Sequence, residues 1–190
     1  AASSYDSWSN GSNSGNGFLG WVLTRSTGNS SEAGHFLDVN RGGWGLYANS
    51  SEWSSAQRPF EQPLAVGRAL AVRLQHGTVS EPGVIEVVLA NSDSQPLFKL
   101  ERRWDSTFYW VNGQETAVSV TTSVLDLELL LTSSTSFSLK LTPVGGAPST
   151  VTGALITHSN ANVTQAIFKN YSAGSGGEAD FFVTSLRIIT

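Results

Sequence analysis

Two carboxylates, Asp126 and Glu128, lie two residues apart in the segment LDLELLLT. If this segment is a strand, their side chains point to the same face and lie roughly 6.5–7 Å apart. That separation is near the range in which two carboxyl groups act as acid and base, or as acid and nucleophile, on a glycosidic bond. A solvated ladder of opposite charges explains the same pattern, because Lys99, Arg103 and Lys140 are predicted on the outward faces of neighbouring strands. Both interpretations remain open at this point.

The segment RGGWGLYANSSEWSS, residues 41–55, places large aromatic rings among turn-forming residues. Trp44 alternates with a leucine and is expected in the core, whereas Tyr47 is out of phase with it and should face away from the core. Trp53 has no apolar residue two positions away, which makes it the best candidate for an exposed ring. Exposed rings can pack on the C–H faces of sugars, while a side chain such as Asn49 bonds to the hydroxyls. The segment therefore offers two ligand-binding platforms, Tyr47 and Trp53.

A second aromatic stretch, RRWDSTFYWVNG, ends in Asn-Gly, the strongest short hairpin signal that a sequence offers. In the strand before this turn Tyr109 and Trp110 point to opposite faces, so one of them is directed outward. Arg103 and Asp105 lie close by in the sequence. We predict that these four residues contribute to the edge of a sugar-binding cleft, although cross-strand aromatic pairs also stabilise sheets that bind nothing.

Other chemistries have weaker signals in this chain. The three histidines lack the spacing of a zinc or copper site, and no Gly-x-Ser-x-Gly motif or phosphate-binding loop occurs. Calcium prefers hard oxygen ligands, and Asp6 in the Asn-rich opening could meet Asp180 before the last strand, since terminal strands often pair. We therefore expect no required cofactor, with a structural calcium ion as an option.

The elements that must position these residues are strands, because apolar residues recur with a period of two and almost nowhere with the helical period. Five segments show the alternation: LAVRLQHG, VIEVVLANS, LFKLERRW, LDLELLLT and SFSLKLTPV. Trp21 is expected in the core, together with the inward residues of the last two segments: Leu125, Leu127, Leu129, Leu131, Phe137, Leu139 and Leu141. Short strands separated by turn residues predict an all-β antiparallel sandwich of jelly-roll type.

The composition limits the partners and the setting. The 190 residues predict a single β-sandwich domain over 1–190, with residues 1–17 as a Ser/Gly/Asn-rich lead-in or a first strand. The net charge of −4 and the lack of a long basic cluster argue against nucleic acid, and no apolar run approaches the roughly 20 residues that cross a bilayer. The chain has no Cys and does not begin with Met, from which we expect a processed, secreted bacterial protein.

Three stretches carry a family resemblance: YDSWSNGSNSGNGFLGW at the start, GHFLDV with WGLYANS and AQRPFEQPLAVG in the middle, and GEADFFVTSLRI at the end. They resemble the concanavalin A-like sandwich domains of secreted bacterial proteins, including carbohydrate-binding modules. The resemblance implies a jelly roll of two sheets, frequently sugar-binding and frequently stabilised by calcium. Glucanases of this fold resemble the pattern Glu-x-Asp-x-x-Glu, and the run DLELLL lacks the final Glu.

These observations favour non-catalytic binding of a polysaccharide or other glycan through exposed aromatic side chains. A glycan-cleaving enzyme that uses Asp126 and Glu128 is one alternative. A structural or adhesive domain without a small ligand is the other, and in each case the chain can be joined to other domains of a larger secreted protein.

Overall fold

Fourteen strands and no helix form the part of the chain that the structure, a computed structural model, describes: residues 7–26, 31–49 and 51–189. The strands are β1 Val22–Arg25, β2 Ala33–Asp38, β3 Gly43–Ala48, β4 Trp53–Pro59, β5 Ala69–His76, β6 Val84–Ala90, β7 Pro96–Arg103, β8 Phe108–Val111, β9 Gln114–Ser119, β10 Leu125–Leu131, β11 Ser136–Pro143, β12 Ser149–Ala154, β13 Gln165–Tyr171 and β14 Phe181–Ile189. All five segments with alternating hydrophobicity are strands, which confirms the prediction.

The strands form two antiparallel sheets of seven, packed face to face. Sheet A has the order β1-β4-β13-β6-β7-β8-β9, and sheet B has the order β12-β11-β10-β5-β14-β3-β2. Neighbours in a sheet are often distant in the chain, and β13 lies between β4 and β6. The predicted two-sheet jelly-roll sandwich is confirmed.

The core lies between the sheets and is built from the inward residues of both. The seven residues of β10 and β11 that alternation predicted to be inward are all 4% exposed or less. Trp21 and Trp44 are buried as expected, and their rings lie 5.2 Å apart between centroids. Alternation therefore predicted the buried face correctly in each of these cases.

The Asn-Gly turn forms the predicted hairpin between β8 and β9. Asn112 and Gly113 have φ angles of 50° and 78°. Positive φ at both central residues is the geometry of the two-residue hairpin turn whose twist matches its strands. This turn sets the register in which β8 pairs with β9.

The described part of the predicted lead-in, residues 7–17, contains no strand and is fastened to the sandwich. The amide of Gly11 donates to the carbonyl of Trp21 at 2.8 Å. Arg58 is 1% exposed and donates to the carbonyls of Ser12 and Ser14 and to the Asn13 side chain at 2.6–3.1 Å. A buried guanidinium thus holds this irregular segment against one end of the core.

Candidate ligand-binding groove

A groove of about 540 Å³ runs over the outer face of sheet A, across β4, β13 and β6. We name it the Trp53 groove; its lining includes Trp53, Gln57, Val84, Glu86, Lys169 and Tyr171. Alternation along β4 places Trp53 and Gln57 outward, whereas Ala56 and Arg58 point into the core. Trp53 and Gln57 are four residues apart, so the lined stretch is about 13 Å long.

Two exposed aromatic side chains stand together at one end of this groove. Trp53 and Tyr171 are paired across β4 and β13, and they are 38% and 42% exposed. Directly opposed residues of an antiparallel pair have Cβ atoms about 4.5–5.5 Å apart. The backbone of Trp53 is also held on its other side, where its carbonyl accepts from the Ser26 amide at 2.9 Å. The predicted exposure of Trp53 is confirmed, and Tyr171 provides a second ring beside it.

Charged side chains form a connected network on the same face. The Lys99 ammonium lies 2.7 Å from a Glu86 oxygen and 3.0 Å from a Glu101 oxygen, and Lys169 lies 3.6 Å from the other Glu86 oxygen. Burial alone would lower the pKa of Lys99, but its contacts with the two carboxylates outweigh burial and raise it. The two glutamates are thereby tied to ammonium groups instead of facing the groove freely.

Three of the predicted ligand-binding residues lie at the far end of this face. Arg103 is the last of four cross-strand partners that form one row over β4, β13, β6 and β7; the other three are Trp53, Tyr171 and Val84. Its guanidinium lies 4.5 Å from the centre of the Trp110 ring and 4.0 Å from Asp105. One face of Trp110 is therefore covered by Arg103, so Trp110 is a less open platform than Trp53.

Tyr109 is not a ligand platform, contrary to the prediction. The side chain is 2% exposed, because Tyr109 and Val111 lie on the inward face of β8 and Trp110 lies on its outward face. Its hydroxyl lies 2.7 Å from Nε2 of the buried His76. Burial raises the pKa of Tyr109 to about 12.

The closeness of Tyr47, Asn49 and Trp53 in the sequence indicated a shared site, but in the structure Tyr47 and Asn49 lie apart from Trp53. The chain passes from β3 in sheet B to β4 in sheet A between them, so Tyr47 and Trp53 lie on opposite outer faces of the sandwich. The Tyr47 ring does face away from the core, where it packs 6.1 Å from Phe36. The Asn49 amide donates to Glu32 at 2.8 Å and so fixes its own loop.

Asp126 and Glu128 lie on the outer face of sheet B, in a second groove of about 500 Å³. Arg73 on β5 donates to both Asp126 oxygens, at 2.7 and 2.8 Å, and its hydrogen bonds lower the pKa of that carboxyl. Glu128 is paired in register with Lys140 on β11.

Two of the cations that were expected beside Asp126 and Glu128 lie on the other sheet. Lys99 and Arg103 belong to β7 of sheet A, and Arg73 is the cation beside Asp126. The described lining of the second groove includes no aromatic residue. The described lining of this groove is therefore a ladder of opposite charges without an aromatic ring on which a sugar could stack.

Of the two predicted calcium ligands, Asp180 is the one that lies within the described residues. Asp6 lies outside the described residues. The pKa of Asp180 is raised to about 6, chiefly by burial; Arg41 opposes the shift, and Glu178 and Asp38 contribute to it. Among the described residues no group of three or more His, Asp or Glu side chains is arranged to hold a metal ion, and structural calcium stays a prediction.

The residues that sequence reasoning missed are Tyr171, Lys169 and Glu86. Each lies on the outward phase of its strand, opposite buried residues such as Phe168 and Val87. Alternation gives the phase, but only the pairing of β13 with β4 and β6 places these side chains beside Trp53.

Comparison with known proteins agrees with this architecture. No family model matches the chain, and no curated protein matches it in sequence. A solved sialidase superposes with a TM-score of 0.64 at 11% identity; the match covers 90% of this chain but 17% of the sialidase chain. The Lotus tetragonolobus seed lectin gives 0.60 at 9% identity over 96% of both chains. A glycosyl hydrolase family protein from Mycobacterium fortuitum gives 0.59 at 15% identity, covering 88% of this chain and 90% of that one.

These similarities show the fold, which is the concanavalin A-like jelly-roll sandwich that the sequence resembled. In the described part of the chain no helix is long and apolar enough to span a membrane.

Proposed function

We propose that this protein is a non-catalytic carbohydrate-binding domain that holds a stretch of polysaccharide in the Trp53 groove. The observation that carries the proposal is the pair of exposed rings, Trp53 and Tyr171, at one end of a groove whose remaining lining is largely polar. A sugar ring presents C–H bonds to an aromatic face and hydroxyls at its rim. Large aromatic side chains provide the apolar area for this contact with little rotamer entropy to lose.

The groove also supplies groups for the hydroxyls. Gln57 on β4 and Thr24 on β1 line the groove, and Lys169 lies two residues from Tyr171 on the same face of β13. Arg103 and Asp105 extend the polar surface along the row that begins at Trp53. The fold shared with a seed lectin and a glycosyl hydrolase family protein supports this function by analogy. The cysteine-free, Ser/Gly-rich composition supports an exported bacterial setting.

Replacing Trp53 by alanine should weaken polysaccharide binding by about tenfold, equivalent to roughly 1.4 kcal/mol, because the larger apolar contact is lost. Affinity electrophoresis against a polysaccharide panel, followed by calorimetry on the polymers that bind, measures the change. Trp104→Ala is the matched control, since Trp104 is 42% exposed and lies outside the groove lining. Equal weakening by both variants, or no weakening by Trp53→Ala, would contradict the proposal.

The enzyme alternative rests on the groove that Asp126 and Glu128 share. A glycosidase of this type needs one carboxyl that is protonated as the acid. The lowered pKa of Asp126 does not fit that role and leaves it to Glu128. Hydrolysis of any glycan that disappears in Glu128→Gln would establish the enzyme. Binding that survives amide substitution of both acids supports the binding domain, and absence of binding and turnover across the panel favours a structural or adhesive role.

A further inference from the structure

We infer that the glycan bound in the Trp53 groove is acidic, and that its carboxylate group is bound by the ammonium of Lys169. This inference rests on the proposed function, because it assigns the charge of the ligand at the same groove. It is carried by the way in which positive and negative groups are exposed on the outer face of sheet A.

The charges of the network are unequally accessible. The side chain of Lys169 is 44% exposed, whereas those of Glu86 and Glu101 are 12% and 13% exposed. Lys99, at 28%, lies between these values and bridges the two glutamates. A ligand that enters the groove therefore meets an ammonium group first, and the balancing carboxylates lie beneath it.

Lys169 is also the least satisfied member of the network. Its nitrogen lies 3.6 Å from Glu86, which is longer than a hydrogen bond, while Lys99 holds the other Glu86 oxygen at 2.7 Å. With the side chains and carbonyls of the described residues, the Lys169 ammonium makes no hydrogen bond within the usual limits. An ammonium has three donors, so Lys169 keeps donors for a ligand.

Lys169 lies about one sugar unit away from the aromatic pair on which the polysaccharide would stack. Lys169 and Tyr171 are two residues apart on β13 and share its outer face, so their side chains are separated by about 6.5–7 Å along the groove. Lys169 is opposed by Ser55 on β4 and by Glu86 on β6. If one sugar stacks on the aromatic pair, an anionic group on the next sugar of the chain would lie above the Lys169 ammonium. Glu86 holds the lysine side chain in this position from the neighbouring strand.

The inference is tested with polymers that share a backbone but differ in the charge of the carboxyl group. Polygalacturonate and alginate are each compared with their methyl-esterified forms, and xylan, mannan and galactan serve as neutral polymers. We expect at least one acidic polymer to bind at least tenfold more tightly than its ester, and this binding to weaken as salt is raised. Lys169→Met should remove most of the preference, and Lys169→Arg should retain it.

Lys140→Met is the matched control, because Lys140 is an exposed lysine on the outer face of sheet B. Equal affinity for acid and ester, or an unchanged preference in Lys169→Met, would overturn the inference. If Trp53→Ala still weakens binding in that case, the proposed function stands without it. If none of the polymers binds, both fail.

Discussion

Replacing Leu127 by alanine is expected to lower the free energy of unfolding by about 2–5 kcal/mol. Leu127 is 2% exposed and lies in the middle of β10, between Leu141 on β11 and Val72 on β5. Truncation removes buried methyl groups and leaves a cavity that two packed sheets cannot close completely. Urea unfolding followed by tryptophan fluorescence measures the change in midpoint.

Asp126→Asn is the control for this variant, because Asp126 precedes Leu127 directly but lies on the outer face. Its ion pair with Arg73 joins side chains that are 44% and 51% exposed. Exposed pairs contribute about 0–1 kcal/mol, so this variant should unfold nearly as the parent does. A Leu127→Ala protein as stable as the parent would show that the assignment of inward and outward faces in sheet B is wrong.

The second large effect is a loss of stability in acid that depends on His76. This side chain is 2% exposed and lies between the carbonyl of Gly77, 3.1 Å from Nδ1, and the hydroxyl of Tyr109, 2.7 Å from Nε2. A carbonyl only accepts, so Nδ1 of the neutral ring donates to Gly77, and Nε2 accepts from the Tyr109 hydroxyl. Burial lowers the pKa of His76 to about 4; the bond to Gly77 opposes this shift, and the charge of Arg102 adds to it.

The sign of the effect follows from the two pKa values. The unfolded chain binds a proton at His76 as the pH falls below 6.5, whereas the folded protein does so only near pH 4. Stability is therefore lost between these values, by about 3 kcal/mol in total. His35, whose pKa is also lowered by burial, acts in the same direction. Asp180 acts in the opposite direction, since its raised pKa of about 6 lets the folded protein bind a proton first.

His76→Gln isolates the contribution of His76, because the amide does not titrate. The difference in unfolding free energy between pH 7 and pH 4 should be smaller in this variant than in the parent by about 3 kcal/mol. His158→Gln is the matched substitution, made at a half-buried histidine whose Nε2 lies 3.1 Å from the carbonyl oxygen of Pro96. A parent-like pH dependence in His76→Gln would show that His76 is not buried as a neutral ring.

Local sequence was sufficient for the five strands with alternating hydrophobicity and for the buried faces of β10 and β11. Alternation depends only on residues that are two positions apart, so it placed Leu127, Leu139 and Trp44 correctly. Alternation did not determine whether Tyr109 or Trp110 of β8 points into the core. That facing was decided by the packing of Tyr109 against His76, which comes from β5 in the other sheet.

The candidate site was harder to predict because it depends on strand order. Tyr47 and Trp53 are six positions apart but face opposite sides of the sandwich, whereas Trp53 and Tyr171 are neighbours although they are 118 positions apart. Arg73 similarly replaced Lys99 as the cation of the Asp126 face. Single-residue properties predicted that Trp53 is exposed, but no local pattern specifies which distant strand lies beside it.

The central claim is that sugars bind on the outer face of sheet A, beside Trp53. Its most direct test is a nuclear magnetic resonance titration of isotope-labelled protein with oligosaccharides prepared from the polymers of the panel. We expect the indole N–H signal of Trp53 and the amide signals of Lys169 and Tyr171 to shift in a saturable manner, while those of Arg73 and Glu128 stay in place. Saturable shifts confined to Arg73, Asp126 and Glu128, or no saturable shift with any oligosaccharide, would contradict it.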